Sequence, residues 1–386
     1  MDSKRRAFLW SADKSGHTSP GTCLVAWESL CRPRDFGGLG IRDLGTHNVC
    51  LLVKLIHRLH CPQSSAWAQW VQGRASVTSL QGDLHGDHWH TLRSILPLYQ
   101  AITSVSFGNG KTFGNGKTCS FWHDVWIGDE PLADRFPSLL SHCTNKTATL
   151  LEVKTSGIQA SLVHRLSKAA QLELHGVEDI LHSTELRDEP DKRCSPFLRP
   201  DNSLDSGQLY RLIKARGQGN EPRAAFIWKT FVPPRVQLFM WLLTQRRIKS
   251  RSLLVKKHIV DSATCEICNY GDETPEHIIH GCTISKEVWR CLGLQSIISM
   301  DMRQLHTVSS TSAPVPEFPS FIALICWHIW KARNAKIFSS EALSVHRTLS
   351  DCKAAAQLWQ LRLPSRRRAV ISQWCSFLDS ARASPS

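Results

Sequence analysis

Three cysteines and one histidine lie close together between residues 265 and 282 and could bind a metal ion. Cys265 and Cys268 are separated by two residues, a spacing that lets two thiolates from one tight turn reach a single tetrahedral Zn²⁺. His277 and Cys282 follow with four residues between them and would complete the ligand shell. A structural zinc has four protein ligands, whereas a catalytic zinc keeps one position for water. The spacing therefore predicts a structural zinc ion, bound by Cys265, Cys268, His277 and Cys282.

Two alternatives to this ligand set stay open. Cysteine also behaves as a small apolar core residue, so the cluster can arise by chance. The second alternative is that His280, one turn beyond His277, takes its place as a ligand. Only one residue separates His280 from Cys282, and two ligands so close in sequence are harder to place in tetrahedral geometry. If His280 is not a ligand, we expect it to be an exposed helix residue.

The residues between the two ligand pairs indicate which elements position them. Gly271 can turn the chain, Thr274 can cap a helix and Pro275 can take its first position. His277 is therefore expected on a short helix that faces the cysteine turn. Trp289 is expected to pack over the cluster, because a small metal-binding module has little core of its own.

A run of basic residues, called here the basic strip, precedes the cysteines: Arg246, Arg247, Lys249, Arg251, Lys256 and Lys257. One interpretation is that the strip contacts the phosphates of a nucleic acid. The other is that it is the solvated face of two short helices whose opposite side is core. Both interpretations stay open.

A hexapeptide that ends in Gly-Lys-Thr is repeated between residues 107 and 118 and raises the question of a phosphate-binding loop. Such a loop needs a glycine five positions ahead of the Gly-Lys pair, where this chain has Val105 and Lys111. The chain continues as a strand-like aromatic segment instead of a helix. Asn-Gly between strand-like flanks predicts a β-hairpin over 102–126, with Lys111 and Lys117 at its tip.

Composition and charge restrict the class of protein. The 386 residues allow two or three domains, and the 47 Lys and Arg against 33 Asp and Glu give a net charge of +14 that favours a polyanionic partner. The 14 cysteines without a signal peptide indicate an intracellular, reducing compartment, the nucleus included. No membrane segment is expected, since the apolar run from Phe321 to Trp330 is far shorter than the roughly 20 residues that span a bilayer.

The segment "FIWKTFVPPRVQLFMWLLTQRRIKSRSLLVKKHIVDSATCEICNYGDETPEHIIHGCTISKEVW" resembles the zinc-binding domain that follows the polymerase in plant non-LTR, LINE-type retrotransposon reverse transcriptases. Upstream, "LVAWESLCRPRDFGGLGIRDLGTHN" and "FWHDVWIGDEPLADRFPSL" are similar to the segment that joins polymerase and zinc domain in these elements. Downstream, "CWHIWKARNAKIF" is similar to the stretch before a ribonuclease H domain. The resemblance implies the ligands Cys265, Cys268, His277 and Cys282, with a framework of Trp228, Pro234, Phe239, Trp241 and Trp289.

These patterns together predict a mainly α fold with a small β-hairpin region and a small Cys3His zinc-stabilised helical module. Four regions are expected: a helical and hairpin connector at 1–145 that resembles the post-polymerase segment, a helical segment and linker at 146–207, the zinc-binding domain at 208–295, and a linker with C-terminal helices at 296–386. Pro233 and Pro234 predict the start of a helix that carries Val236 to Leu243.

The departures from the family concern its catalytic parts. A polymerase palm needs paired carboxylates to hold two Mg²⁺ ions, and this chain has no adjacent Asp-Asp. The tail from Ala369 has one Asp and no Glu, so no acidic cluster for ribonuclease H follows. We therefore expect no enzyme: the chain would lack both the palm and the ribonuclease H domain.

Two functions from different classes remain. The first is a non-catalytic remnant of a retrotransposon reverse transcriptase that binds Zn²⁺ and binds RNA or DNA non-specifically through the basic strip. The second is a structural or protein-interaction module that the zinc stabilises and that has no nucleic-acid role. In neither case does the sequence predict an oligomeric state.

Overall fold

The computed structural model describes residues 2–11, 23–61, 66–105, 112–215, 219–308 and 315–383. Up to residue 216 its α-helices are α1 (Asp2–Ser11), α2 (Trp27–Leu30), α3 (Leu44–Leu59), α4 (Ala66–Gln72), α5 (Asp87–Ala101), α6 (Leu132–Arg135), α7 (Pro137–Ser141), α8 (Leu150–Ser156), α9 (Lys168–Ser183) and α10 (Ser206–Ala215). Beyond residue 216 they are α11 (Arg223–Trp228), α12 (Pro234–Thr244), α13 (Arg251–Lys256), α14 (Thr283–Cys291), α15 (Phe318–Ser339), α16 (Val345–Trp359) and α17 (Ala369–Ala383). Short 3-10 helices cover Arg34–Phe36, Ile158–Ser161, Gln295–Ser299, Met302–Thr307, Gln360–Arg362 and Ser365–Arg367, and a π-helix covers His277–Gly281.

The strands are short: β1 (Ser104–Val105), β2 (Thr112–Phe113), β3 (Glu185–Leu186) and β4 (Arg193–Cys194). β1 pairs antiparallel with β4, with Ser104 opposite Cys194, and β2 pairs parallel with β3. The predicted mainly α fold with a small β component is confirmed. The predicted pairing is wrong, because the described strands within 102–126 pair with residues 185–194 and not with each other. Lys111 lies outside the described residues.

The second copy of the hexapeptide surrounds an internal anion instead of closing a hairpin. The backbone N–H of Gly116 donates to Asp191 Oδ1 at 2.8 Å, and the N–H and hydroxyl of Thr118 donate to Asp191 Oδ2 at 2.8 and 2.9 Å. A Cβ on Gly114 would lie 2.6 Å from the Asp191 carboxylate, so this approach requires glycine. The N–H groups that could have faced a phosphate are thus occupied by the protein's own carboxylate.

The charged segment 183–207 supplies buried residues to the surrounding fold. The Arg193 guanidinium forms a bidentate ion pair with Asp124 at 2.8 and 2.7 Å, and each side chain is only 1% exposed. Arg193 also donates to the Thr118 carbonyl at 2.7 Å. Asp124 additionally accepts the backbone N–H of Ser120 at 2.6 Å. This pair fixes the turn after Trp122 and explains why residues 193–194 pair with β1.

The chain divides into two compact units, and the first combines residues 1–41 with 217–386. Here α12 packs on α15, and α16 packs on α14, α15 and α17. α12 begins at Pro234, as the two prolines predicted. Trp241 and Trp289 are fully buried, and the indole N–H of Trp241 donates to the Gly37 carbonyl at 2.8 Å. This hydrogen bond ties the N-terminal part of the unit to the part after residue 217.

α15 is the longest helix of this unit and contains the aromatic segment that begins near Phe321. Phe321 is fully buried, while the Phe239 ring of α12 packs on Trp327 and Trp330 at centroid distances of 5.2 and 6.0 Å. α15 therefore forms the centre of the core. None of the described helices has the length and apolar character needed to cross a bilayer.

The second unit comprises residues 42–216. α3 packs on α5 and α10, and α3 begins with the Asp43 side chain accepting the N–H of Thr46 at 2.8 Å. A separate apolar cluster surrounds Phe121, Trp122 and Trp126, all fully buried. The four domain boundaries derived from the sequence stay predictions.

Candidate metal centre

The structure brings the four predicted ligands together. One ligand atom each from Cys265, Cys268, His277 and Cys282 lies within 4.8 Å of every other, and Cys268 Sγ is 3.3 Å from His277 Nε2. A tetrahedral ion with Zn–S of about 2.3 Å and Zn–N of about 2.0–2.1 Å separates its ligand atoms by roughly 3.5–3.8 Å. Within the described part of the chain, no other group of three or more His, Cys, Asp or Glu side chains is as closely convergent. The donor set and its spacing therefore fit Zn²⁺.

The first ligand pair is held by a tight turn. The N–H of Cys265 donates to the Gly271 carbonyl at 3.0 Å, the N–H of Asn269 donates to the Cys265 carbonyl at 2.9 Å, and Thr264 pairs with Asp272. Asn269 and Gly271 have φ values of 53° and 75°, which asparagine and glycine tolerate best. The turn points both cysteine sulfurs toward one centre.

The second ligand pair is held by a π-helical turn. Thr274 Oγ1 accepts the N–H of His277 at 3.1 Å, as expected for a cap. The N–H of Cys282 then bonds the His277 carbonyl at 2.7 Å, which is the i to i+5 connection of a π-helix. The four residues between His277 and Cys282 thus match one turn of π-helix. At Gly281 a Cβ would lie 3.3 Å from His277 Nδ1, so a small residue there leaves room for the ring.

The sulfur atoms are electrostatically coupled. The adjacent Cys282 thiol lowers the pKa of Cys265 because it can hydrogen-bond to the thiolate, and backbone N–H groups of Cys268 and Ile267 act in the same direction. The pKa of Cys282 is raised, because its proton is shared with the Cys265 sulfur and the group is partly buried. Without a cation only one of these two sulfurs is readily ionised. A divalent ion removes this conflict, since metal binding displaces thiol protons.

His280 lies outside the ligand group, but the expectation that it is an exposed helix residue is wrong. It is buried, and desolvation lowers its pKa. The π turn carries His277 toward the sulfurs and rotates His280 into the core. The sequence predicts an α-helix here, and in an α-helix His280 would lie on a different face from the one it has in the π turn.

Comparison with known proteins agrees with the site. Residues 205–289 match the family described as zinc-binding in reverse transcriptase, and all four candidate ligands lie in this range. An uncharacterized mitochondrial protein of Arabidopsis thaliana is 35% identical over 136 residues, which are 34% of this chain and 82% of that protein. The chain belongs to this reverse-transcriptase-related family.

A second relative covers more of this reverse-transcriptase-related chain. A putative ribonuclease H protein of Arabidopsis thaliana is 25% identical over 362 residues, or 88% of the chain. The chain spans only 56% of the length of that protein. No solved structure matches the chain.

A buried ion pair that the ligand spacing does not reveal stabilises the candidate metal centre of this family member. Glu273 is fully buried between the two ligand pairs, and Arg333 of α15 donates through Nε to Glu273 Oε2 at 3.0 Å and pairs through a second nitrogen with Oε1. Glu273 Oε1 also accepts the N–H of Arg251 at 3.0 Å. The ligand loop is thereby joined to α13 and α15. The only sequence signal for this role was the position of Glu273 between the ligand pairs, because Arg333 is distant in sequence.

The basic strip is partly neutralised by neighbouring acids. Arg246 contacts Glu276 at 2.5 Å and Asp301 at 3.3 Å, and Arg251 pairs with Glu266. Of the other members of the strip, Arg247, Lys249 and Lys256 are exposed, and Lys257 is half-buried. Ile248, between two of the strip's basic residues, is buried in the core, as expected for a two-faced segment.

Proposed function

We propose that this chain is a non-catalytic part of a plant LINE-type reverse-transcriptase relative in which a structural zinc ion organises a module that binds RNA or DNA non-specifically. Cys265, Cys268, His277 and Cys282 hold the ion, and the exposed residues Arg247, Lys249 and Lys256 beside it contact phosphates. The proposal includes the absence of polymerase palm and ribonuclease H chemistry from this part of the element.

The convergence of the four ligand atoms within 4.8 Å supports the structural role of the zinc. Four protein ligands leave no position for a reactive water, so the ion stabilises the loop and performs no hydrolysis. The buried link from Glu273 to Arg333 extends this stabilisation to the core of the unit. A zinc ion in this position supplies folding free energy.

The charge next to the centre supports the nucleic-acid role. Arg247, Lys249 and Lys256 are exposed, and the chain carries a net charge of +14. Lysine and arginine side chains that neutralise phosphates release counterions, so the binding constant falls with rising salt. We therefore expect binding that depends on salt and little on base sequence.

The test begins with metal analysis, which should give one zinc ion per chain, and continues with binding to single-stranded RNA and DNA over a range of salt concentrations. The double variant Arg247→Ala, Lys249→Ala should reduce the salt slope by about 0.7 for each lost phosphate contact on a single strand. Arg246→Ala is the matched control, because Glu276 and Asp301 already engage that side chain. Removing the zinc with a chelator should weaken nucleic-acid binding by the wild type, the double variant and Arg246→Ala alike.

An unchanged slope in the double variant would favour the second candidate, a zinc-stabilised structural or protein-interaction module. The ion pairs of Arg246 and Arg251 favour this candidate, because they direct part of the strip toward the protein itself. An apolar protein interface would show no steep decline of affinity with salt.

A further inference from the structure

A cleft of about 490 Å³ lies in the second unit, away in sequence from the zinc ligands. Its walls come from α3, α4 and the first turns of α5. Besides three leucines, the lining consists of aromatic and basic side chains, namely Arg58, Trp67, Trp70, His88 and Trp89. None of the described lining residues carries a carboxylate.

The tryptophans offer ring faces in this cleft. The rings of Trp67 and Trp89 are parallel within 4°, with centroids 6.4 Å apart, so Trp67 is held in a fixed orientation. Trp70 is 45% exposed, and the Arg74 guanidinium lies 4.5 Å from its ring centroid. This cation–π contact restrains an aromatic side chain that folding has left in water. Trp70 therefore presents an aromatic surface to solvent at the cleft.

The chemistry of the cleft favours one occupant. Unpaired bases stack on aromatic rings whatever their sequence, and nearby cations contact the phosphates between them. Arg58 and His88 are exposed at the cleft, and Arg74 lies beside Trp70. An apolar helix would not gain from the two arginine cations, and a duplex keeps its bases stacked inside and unavailable.

We propose that this cleft binds single-stranded nucleic acid, with bases stacked on Trp70 and Trp67 and phosphates contacted by Arg58 and Arg74. The cleft and the basic strip are formed by different residues, so this inference stands independently of the proposed zinc-module function. The chain would then have two nucleic-acid contacts, of which only the cleft distinguishes single strands from duplexes.

The test uses the full chain and a fluorescein-labelled oligo(dT), with its duplex as a second probe, at fixed salt. Trp70→Ala should weaken oligo(dT) binding about 5- to 150-fold, the range expected for loss of one base-stacking platform. Trp70→Phe keeps a ring face and should retain most of the affinity. Leu172→Ala is the matched control, because Leu172 is 76% exposed in the same unit and outside the cleft. Duplex binding should be the same for all four proteins.

Unchanged oligo(dT) binding in Trp70→Ala would overturn the proposal. So would tight binding of a proline-rich peptide that depends on Trp70 while oligo(dT) binding does not, because the cleft would then be a peptide groove. The strip variant Arg247→Ala, Lys249→Ala should alter the salt slope and leave the ratio between wild type and Trp70→Ala unchanged. Failure of the strip experiment and failure of the cleft experiment are therefore distinguishable.

Discussion

The zinc-ligand loop at 264–282 and the glycine-rich loop at 114–118 both hold buried anionic groups, but they neutralise them differently. In the glycine-rich loop, backbone N–H groups bind the Asp191 carboxylate, and Arg193 pairs with the neighbouring Asp124. In the ligand loop, three sulfurs and an imidazole converge, and the nearby Arg333 is already paired with Glu273. The first loop is complete within the chain, whereas we propose that the second takes up a cation from outside.

This difference explains why the glycine-rich loop is not interpreted as a phosphate site, whereas the Cys and His group is interpreted as a metal site. A glycine-rich loop binds phosphate only if its N–H groups are unoccupied, and here they are satisfied internally. A group of thiols binds a metal because the protein offers no cation of its own to their ionised form. Local composition indicates whether a loop suits an anion or a cation. Whether that loop needs an external ion depends on whether another group of the same protein already supplies the opposite charge.

The largest effect is expected from removing a metal ligand. Cys282→Ser should abolish most zinc binding and the hydrogen-exchange protection of residues 265–292, because structural zinc contributes about 10–16 kcal/mol to the folding of small modules. Residues 114–118 should keep their protection, since their anions have internal partners. Cys291→Ser, in α14 but outside the ligand group, should retain full zinc content. Wild-type zinc content and protection in Cys282→Ser would contradict the comparison.

The reverse experiment removes the internal cation of the second unit. Arg193→Ala leaves Asp124 buried without a partner and should destabilise that unit by about 3–5 kcal/mol. Arg199→Ala breaks the exposed pair with Asp205 and should cost at most about 1 kcal/mol. Hydrogen exchange of α3 and α5 measures both effects. Zinc content should stay unchanged in both variants, and zinc loss in Arg193→Ala would show that the two loops are not independent.

A smaller effect is expected from acid. Burial lowers the pKa of His60 to about 3, with the positive charge of Arg193 acting in the same direction. The unfolded chain therefore binds a proton below pH 6.5 that the folded unit does not, so stability decreases as the pH falls from about 6.5 toward 3. At pH 5 this amounts to about 2 kcal/mol.

His60→Leu removes this titration and should reduce the difference in α3 protection between pH 7 and pH 5. His47→Leu is the comparison variant, since His47 is a half-buried residue of α3, whereas His60 at the end of the same helix is buried. An equal pH dependence in wild type and His60→Leu would assign the acid sensitivity to other groups.

Much of the local structure was predictable because it depends on short-range chemistry. The two prolines before Val236 placed the start of α12, and Thr274 was identified as a cap for the turn that carries His277. The pairing of β1 was not predictable, because its partner Arg193 to Cys194 is chosen by a buried ion pair between distant segments. The burial of His280 was missed for a related reason, since the π turn changes which side chains share a face.

The sequence by itself determined which three cysteines and one histidine form the candidate ligand group, the mainly helical class and the net positive charge, because ligand spacing, helix periodicity and composition act over a few residues. The tertiary structure alone decided that residues 1–41 join 217–386, that Arg333 supports Glu273, and that Asp191 fills the glycine-rich loop. Each of these depends on burying a polar group against one partner far along the chain. Desolvation makes such a partner obligatory, but a linear sequence does not specify which residue it is.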